Sequence, residues 1–186
     1  MNLAQCLLPF IHEDKEQSVS LAQESINRFD SAFVDHYLQR MRAKLGLADE
    51  QDDDLELASR LLELMEAEQL DFTISFTQLT QADATSLFAP GGALHDWHLR
   101  WQQRLDNEPE QMERSRQRMQ QVNPIVIPRN HLIEAFIDQA IREDDYSGFH
   151  TMLEAVTSPF DIKHLDSVYA TAPASGEVVT QTFCGT

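Results

Sequence analysis

The sequence predicts an all-α protein, an irregular multi-helix bundle with an extended C-terminal tail. Apolar residues recur at three- and four-residue steps over most of the chain, the period of one helix face. Strand-favouring residues gather in one short place, residues 71–76, with no second stretch nearby to pair with. Beyond residue 160 the periodicity fades. The expectation is about six to eight helices in one domain over residues 1–160, with 161–186 as a tail laid on a surface or left mobile.

The elements follow in order. Residues 1–11 (MNLAQCLLPFI) are apolar and read as an amphipathic helix, with Cys6 as a packing residue. They lack the basic lead of a signal peptide and are too short for one. Ile26, Phe29, Phe33, Tyr37, Met41 and Leu45 mark one face of a long helix over 16–45, with Gly46 placed to end it. Leu55, Ala58, Leu61, Leu62 and Met65 mark another over 52–68, whose first turn carries Asp52, Asp53 and Asp54, favourable to the helix dipole. Residues 71–76 suit a strand by composition, but Asp71 can cap a short helix, and the lack of a partner strand favours the helix. Pro90-Gly91-Gly92 breaks the chain. Leu94, Trp97, His98, Trp101 and Leu105 then trace a helical face. Pro109 suits the first turn of a further helix running to about Gln121. After Asn123-Pro124, Pro128 is expected to open a helix striped by Leu132, Ile133, Phe136, Ile137, Ala140 and Ile141. A short helix over 147–156 stops before Pro159.

The composition narrows the function. At 186 residues with 42% hydrophobic content, the chain is long enough to bury a core. A net charge of −17 repels phosphate backbones and anionic bilayers, which argues against nucleic-acid and membrane partners. No apolar run reaches the roughly 18 residues needed to span a bilayer. The two cysteines, Cys6 and Cys184, stand near opposite ends, which excludes a disulfide framework and points to a reducing, cytoplasmic setting.

Few residue groups suggest chemistry. The acidic run over residues 49–54 has no glycine where a calcium loop needs its sharp turn, so a solvated helix start is the better reading. His95 and His98 lie one turn apart and offer two metal ligands, yet no third accompanies them and Trp97 and Trp101 flank the second. Arg114, Arg116 and Arg118 spread around a helix axis rather than forming one phosphate clamp. The sequence holds no GxSxG, P-loop or GxGxxG, and Asp71-Phe72-Thr73 lacks the glycine of the kinase metal-binding triplet.

Several segments together resemble the C-terminal part of the selenoprotein O family. Asn2-Leu3-Ala4-Gln5-Cys6-Leu7-Leu8-Pro9 looks like its opening helix, and Met41-Arg42-Ala43-Lys44-Leu45-Gly46-Leu47 like its M-x-x-K-L-G-L segment. Asp71-Phe72-Thr73 with Phe76 and Leu79 resembles D-F-T-x-x-F-x-x-L. Asn123-Pro124 with Arg129-Asn130 matches N-P-x-x-x-x-R-N, the most specific of these, and Tyr169 and Cys184 match its closing segment. The resemblance implies a kinase-like protein adenylyltransferase that moves AMP from ATP, with magnesium, onto Ser, Thr or Tyr hydroxyls of protein substrates. It implies that the nucleotide-binding and catalytic residues lie upstream of this chain, so no catalytic, cofactor-binding or metal-ligating residue is carried over. Met1 stands where the family has an aromatic residue, which suggests a truncated gene or an expressed fragment. The expected partner is then the upstream kinase-like portion, docked on an apolar patch that alternatively drives homo-oligomerisation. Cys184 is the one residue with an implied role, a reversible redox latch to an upstream cysteine, against the plainer reading of an inert tail thiol. Two other classes stay open: a stand-alone interaction module, and a metal-binding helical protein resting on His95 and His98.

Overall fold

The computed structural model describes residues 2–81, 87–108, 112–179 and 181, without the side chains of Asn2 and Ala4. Among the described residues there are eight α-helices and no strand. They are α1 (Asn2–Ile11), α2 (Lys15–Leu45), α3 (Asp54–Ala67), α4 (Phe72–Leu79), α5 (Ala93–Asp106), α6 (Met112–Val122), α7 (Asn130–Glu143) and α8 (Ser147–Thr157). Two 3-10 turns follow, Ile162–His164 and Val168–Ala170. The all-helical class is as the sequence predicts, and the ambiguous segment 71–76 belongs to α4. Pro109 and Cys184 lie outside the described residues.

The chain divides into two compact units, Met1–Met41 and Arg42–Thr186. In the first, Asp14 starts α2 by accepting the Gln17 N–H at 2.9 Å. The buried Ser18 hydroxyl donates to the Leu8 carbonyl near the end of α1, which ties the two helices of this unit together. The predicted apolar face of α2 divides along its length: Met41 and Leu45 are buried, whereas Ile26 is 51%, Phe29 65% and Phe33 56% exposed. Phe29, Phe33 and Tyr37 stack in a ladder, centroids 6.0 and 6.1 Å apart. Cys6, expected to pack, is exposed as well.

The second unit holds the last turn of α2 and every later element. Its fully buried side chains include Leu45, Leu61, Phe76, Leu79, Met119 and Val126. The α3 stripe falls on Leu57, Ala58, Leu61, Leu64 and Met65, while Leu55 points outward. The register is set by Asp54, which is drawn inward by two arginines and carries positions three, four and seven residues later with it. Two indoles fasten α5 across the core. Trp97 Nε1 donates to the Leu57 carbonyl at 2.8 Å and Trp101 Nε1 to the Leu45 carbonyl at 2.9 Å.

Pro128 does not open α7. The helix begins at Asn130, with Arg129 as its extended N-cap (φ −88°, ψ 131°) and the Arg129 guanidinium held by Asp71. α7 packs on α8 where Gly148 allows it: a Cβ there would sit 2.3 Å from the Phe136 ring. Residues after α8 return to the core, where Leu165, Tyr169 and Ala170 pack on Ile125, Val126 and Ala155.

Candidate functional site

The polar centre of the second unit begins at the end of α2. Gly46 has φ +77°, its N–H bonding the Ala43 carbonyl at 3.2 Å and the Leu47 N–H bonding that of Arg42 at 2.9 Å. This is the glycine-ended helix stop that the sequence suggests. The freed Gly46 carbonyl accepts from Arg118 Nη1 at 2.8 Å. Just past the turn, the buried Glu108 carboxylate accepts the N–H groups of Ala48 and Asp49 at 2.9 and 3.1 Å.

Arg104 links Glu108 to Asp54. Its Nη1 meets Glu108, its Nε meets Asp54 at 2.9 Å, and its Nη2 donates to the Asp49 carbonyl at 2.8 Å. Arg42 Nε closes on the other Asp54 oxygen at 2.7 Å. Burial would raise the Asp54 carboxyl, but donation from Arg104, the Gln51 N–H and Arg42 outweighs it, and the group lies below its ordinary range. Arg104 is itself disfavoured by burial but is raised by Asp54 and Glu108. The acidic run thus supplies a partner for arginines rather than a cation loop.

The segments that carried the family resemblance meet each other. Lys44 Nζ donates to Asn123 Oδ1 at 3.1 Å, while Asn123 Nδ2 donates back to the Lys44 carbonyl at 2.8 Å. The ammonium lies 5.4 and 4.9 Å from the Phe72 and Phe76 ring centres. Burial pushes its pKa below the usual lysine value. Asp71 caps α4 by accepting the Ile74 N–H at 2.9 Å and takes Arg129 in a two-pronged pair at 2.7 and 3.2 Å. Burial favours the neutral Asp71 carboxyl, but Arg129 and the Ile74 N–H prevail and hold it low. Thr77 Oγ1 donates to the Pro124 carbonyl at 3.1 Å.

Chemically this is a brace. The Lys44 ammonium is engaged inside the fold by Asn123 and by the Phe72 and Phe76 rings. Arg42, Arg104 and Arg129 face carboxylates. Among the described residues, these three guanidiniums are directed at carboxylates rather than at a common point where a triphosphate would need them. His95 and His98 make separate contacts: His95 Nδ1 lies 3.1 Å from the Phe88 carbonyl, and the His98 ring stacks on Phe88 and Trp101 at 4.5 and 5.4 Å. Burial, and then His95, lower the His98 pKa. Among the described residues no group of three or more His, Cys, Asp or Glu is placed to hold a metal ion. The i,i+4 spacing of Arg104 and Glu108 was the one sequence signal for the buried network, and the pairing of Lys44 with Asn123, 79 positions apart, left none.

Comparison with known proteins agrees with these motifs. The family model described as Protein adenylyltransferase SelO matches residues 1–157. The chain is 39% identical over 184 residues to a Protein nucleotidyltransferase YdiU of Geobacillus kaustophilus (strain HTA426), covering 98% of this chain and 38% of that protein. It is 39% identical over 191 residues to one from Bradyrhizobium sp. (strain BTAi1 / ATCC BAA-1182), covering 99% and 39%. A third, from Alkaliphilus metalliredigens (strain QYMF), is 38% identical over 185 residues, covering 98% and 38%. The chain therefore spans well under half the length of these curated relatives, and it belongs to the protein adenylyltransferase SelO family.

Proposed function

We propose that this chain is the C-terminal helical part of a protein adenylyltransferase and serves to support the catalytic portion. In the intact protein, AMP passes from ATP, with magnesium, to Ser, Thr or Tyr hydroxyls of protein substrates, and the residues that hold the nucleotide lie outside this chain. The observation that carries the reading is the engagement of Lys44, Asn123, Asp71 and Arg129 with one another: the family-like positions are spent on bracing helices. The Phe29–Phe33–Tyr37 ladder supports it too, since apolar surface of this kind marks a contact face. We assign that face to the remaining portion of the protein, with self-association as the outcome when that portion is missing. Cys184 is proposed as a reversible thiol partner for an upstream cysteine, and the compartment as the cytoplasm. No helix among the described residues is long and apolar enough to cross a membrane.

The test compares the 186-residue chain with one extended to the length of its relatives. Calorimetric titration with ATP and magnesium, and transfer of labelled AMP to protein, should succeed with the extended protein alone. Transfer by the 186-residue chain unaided would overturn the reading.

A further inference from the structure

The segment that follows the second 3-10 turn runs past α7 without closing on it. A groove of about 550 Å³ lies between them, and a second hollow of about 290 Å³ shares His131, Glu177, Val178 and Val179 with it. The apolar lining comes from Leu132, Ala135 and Ile137 on α7 and from the two valines opposite. Ile137 and Val178 are about half exposed, so this surface stands in water. The charged lining is of one sign: Glu134 and Asp138 on α7, and Glu177 across from them. Asp138 is shared with exposed Arg142 at 3.0 Å, and the guanidinium in the second hollow, Arg129, is already taken by Asp71.

We propose that this groove seats a polypeptide segment that combines apolar side chains with lysine or arginine. Apolar walls favour burial of leucine- or valine-like groups. Glu134 and Glu177 beside them, with Asp138 shared with Arg142, favour cations and disfavour acidic segments, and the net charge of −17 draws basic partners toward the surface. The open groove suits a chain better than a small molecule, which prefers an enclosed pocket. This does not depend on the supporting role proposed above.

Three labelled peptides of equal length test it by fluorescence anisotropy with the 186-residue chain: alternating Leu/Lys, alternating Leu/Glu, and alternating Ser/Lys. The Leu/Lys peptide should bind, and the other two should bind at least about tenfold more weakly. Glu134→Lys with Asp138→Lys should weaken the Leu/Lys peptide by about tenfold or more, whereas Glu63→Lys with Glu66→Lys on α3 should change it by less than about twofold. Circular dichroism melts verify that both double variants remain folded, and Val178→Asp offers a second groove variant should one not. Equal losses in the two double variants would reduce the effect to overall charge and overturn the proposal. So would tight binding of the Leu/Glu peptide, or a dimer by light scattering that Val178→Asp dissolves, since the occupant would then be a second copy.

Discussion

Arg104 makes three different bonds inside the core, to Asp54, Glu108 and the Asp49 carbonyl, so its loss takes a cationic partner from two buried carboxylates at once. Arg104→Ala should therefore cost about 3–5 kcal/mol, read from the urea midpoint of unfolding. The exposed pair Arg60–Glu63 offers the contrast: Arg60→Ala should cost under about 1 kcal/mol. At this scale the sequence was legible where the chemistry is local. Asp71 as a helix cap and Gly46 as a helix stop follow from residue type and position alone. Asp54 was read as a solvated first-turn acid because its partner arginines sit 12 and 50 residues away, a distance that no periodicity encodes.

At the scale of elements, α4 depends on its cap and on α7. Asp71→Ala removes the acceptor for the Ile74 N–H and leaves the buried Arg129 without its carboxylate, for a cost of about 2–4 kcal/mol by thermal or urea unfolding. Asp71→Asn keeps the cap and should cost less. α3 ends with Gln69 at φ 53°, its N–H and that of Leu70 closing on the Glu66 and Met65 carbonyls. A left-handed glutamine is strained by about 1–2 kcal/mol, so Gln69→Gly should raise stability by about 0.5–1 kcal/mol after the entropy that glycine loses. Helix number and order were readable from apolar spacing, whereas starts were displaced by tertiary pairs. α3 begins at Asp54, itself held by Arg42 and Arg104, instead of residue 52, and α7 begins at Asn130, next to the Asp71-bound Arg129, instead of Pro128.

The whole molecule responds to acid through groups in its second unit. Asp54 and Asp71 lie below the ordinary carboxylate value when folded, so the stability they contribute is complete above about pH 4–5 and is lost as pH falls through their folded values. His98 adds a loss at higher pH. Its folded pKa is lowered, so the unfolded chain takes up the proton first, and stability begins to fall below about pH 6.5. Urea midpoints followed from pH 8 to pH 3 should decline in these two stages, and His98→Phe, which keeps a ring between Phe88 and Trp101, should flatten the first. A single step below pH 4 in the unaltered chain would refute the histidine assignment. At this scale the sequence was least legible. The Ile26–Phe29–Phe33 stripe reads as a core face by period, and periodicity cannot state whether the covering surface belongs to the same chain.

Trp97 and Trp101 are the only tryptophans in the protein, and both are enclosed with their indoles anchored to the Leu57 and Leu45 carbonyls. Intrinsic emission is therefore a gauge of the Arg42–Thr186 unit and blind to Met1–Met41, whose sole tyrosine is Tyr37. A red shift on denaturation dates the loss of the α3–α5 contact, while melting confined to the first unit escapes that signal and is left to far-ultraviolet ellipticity.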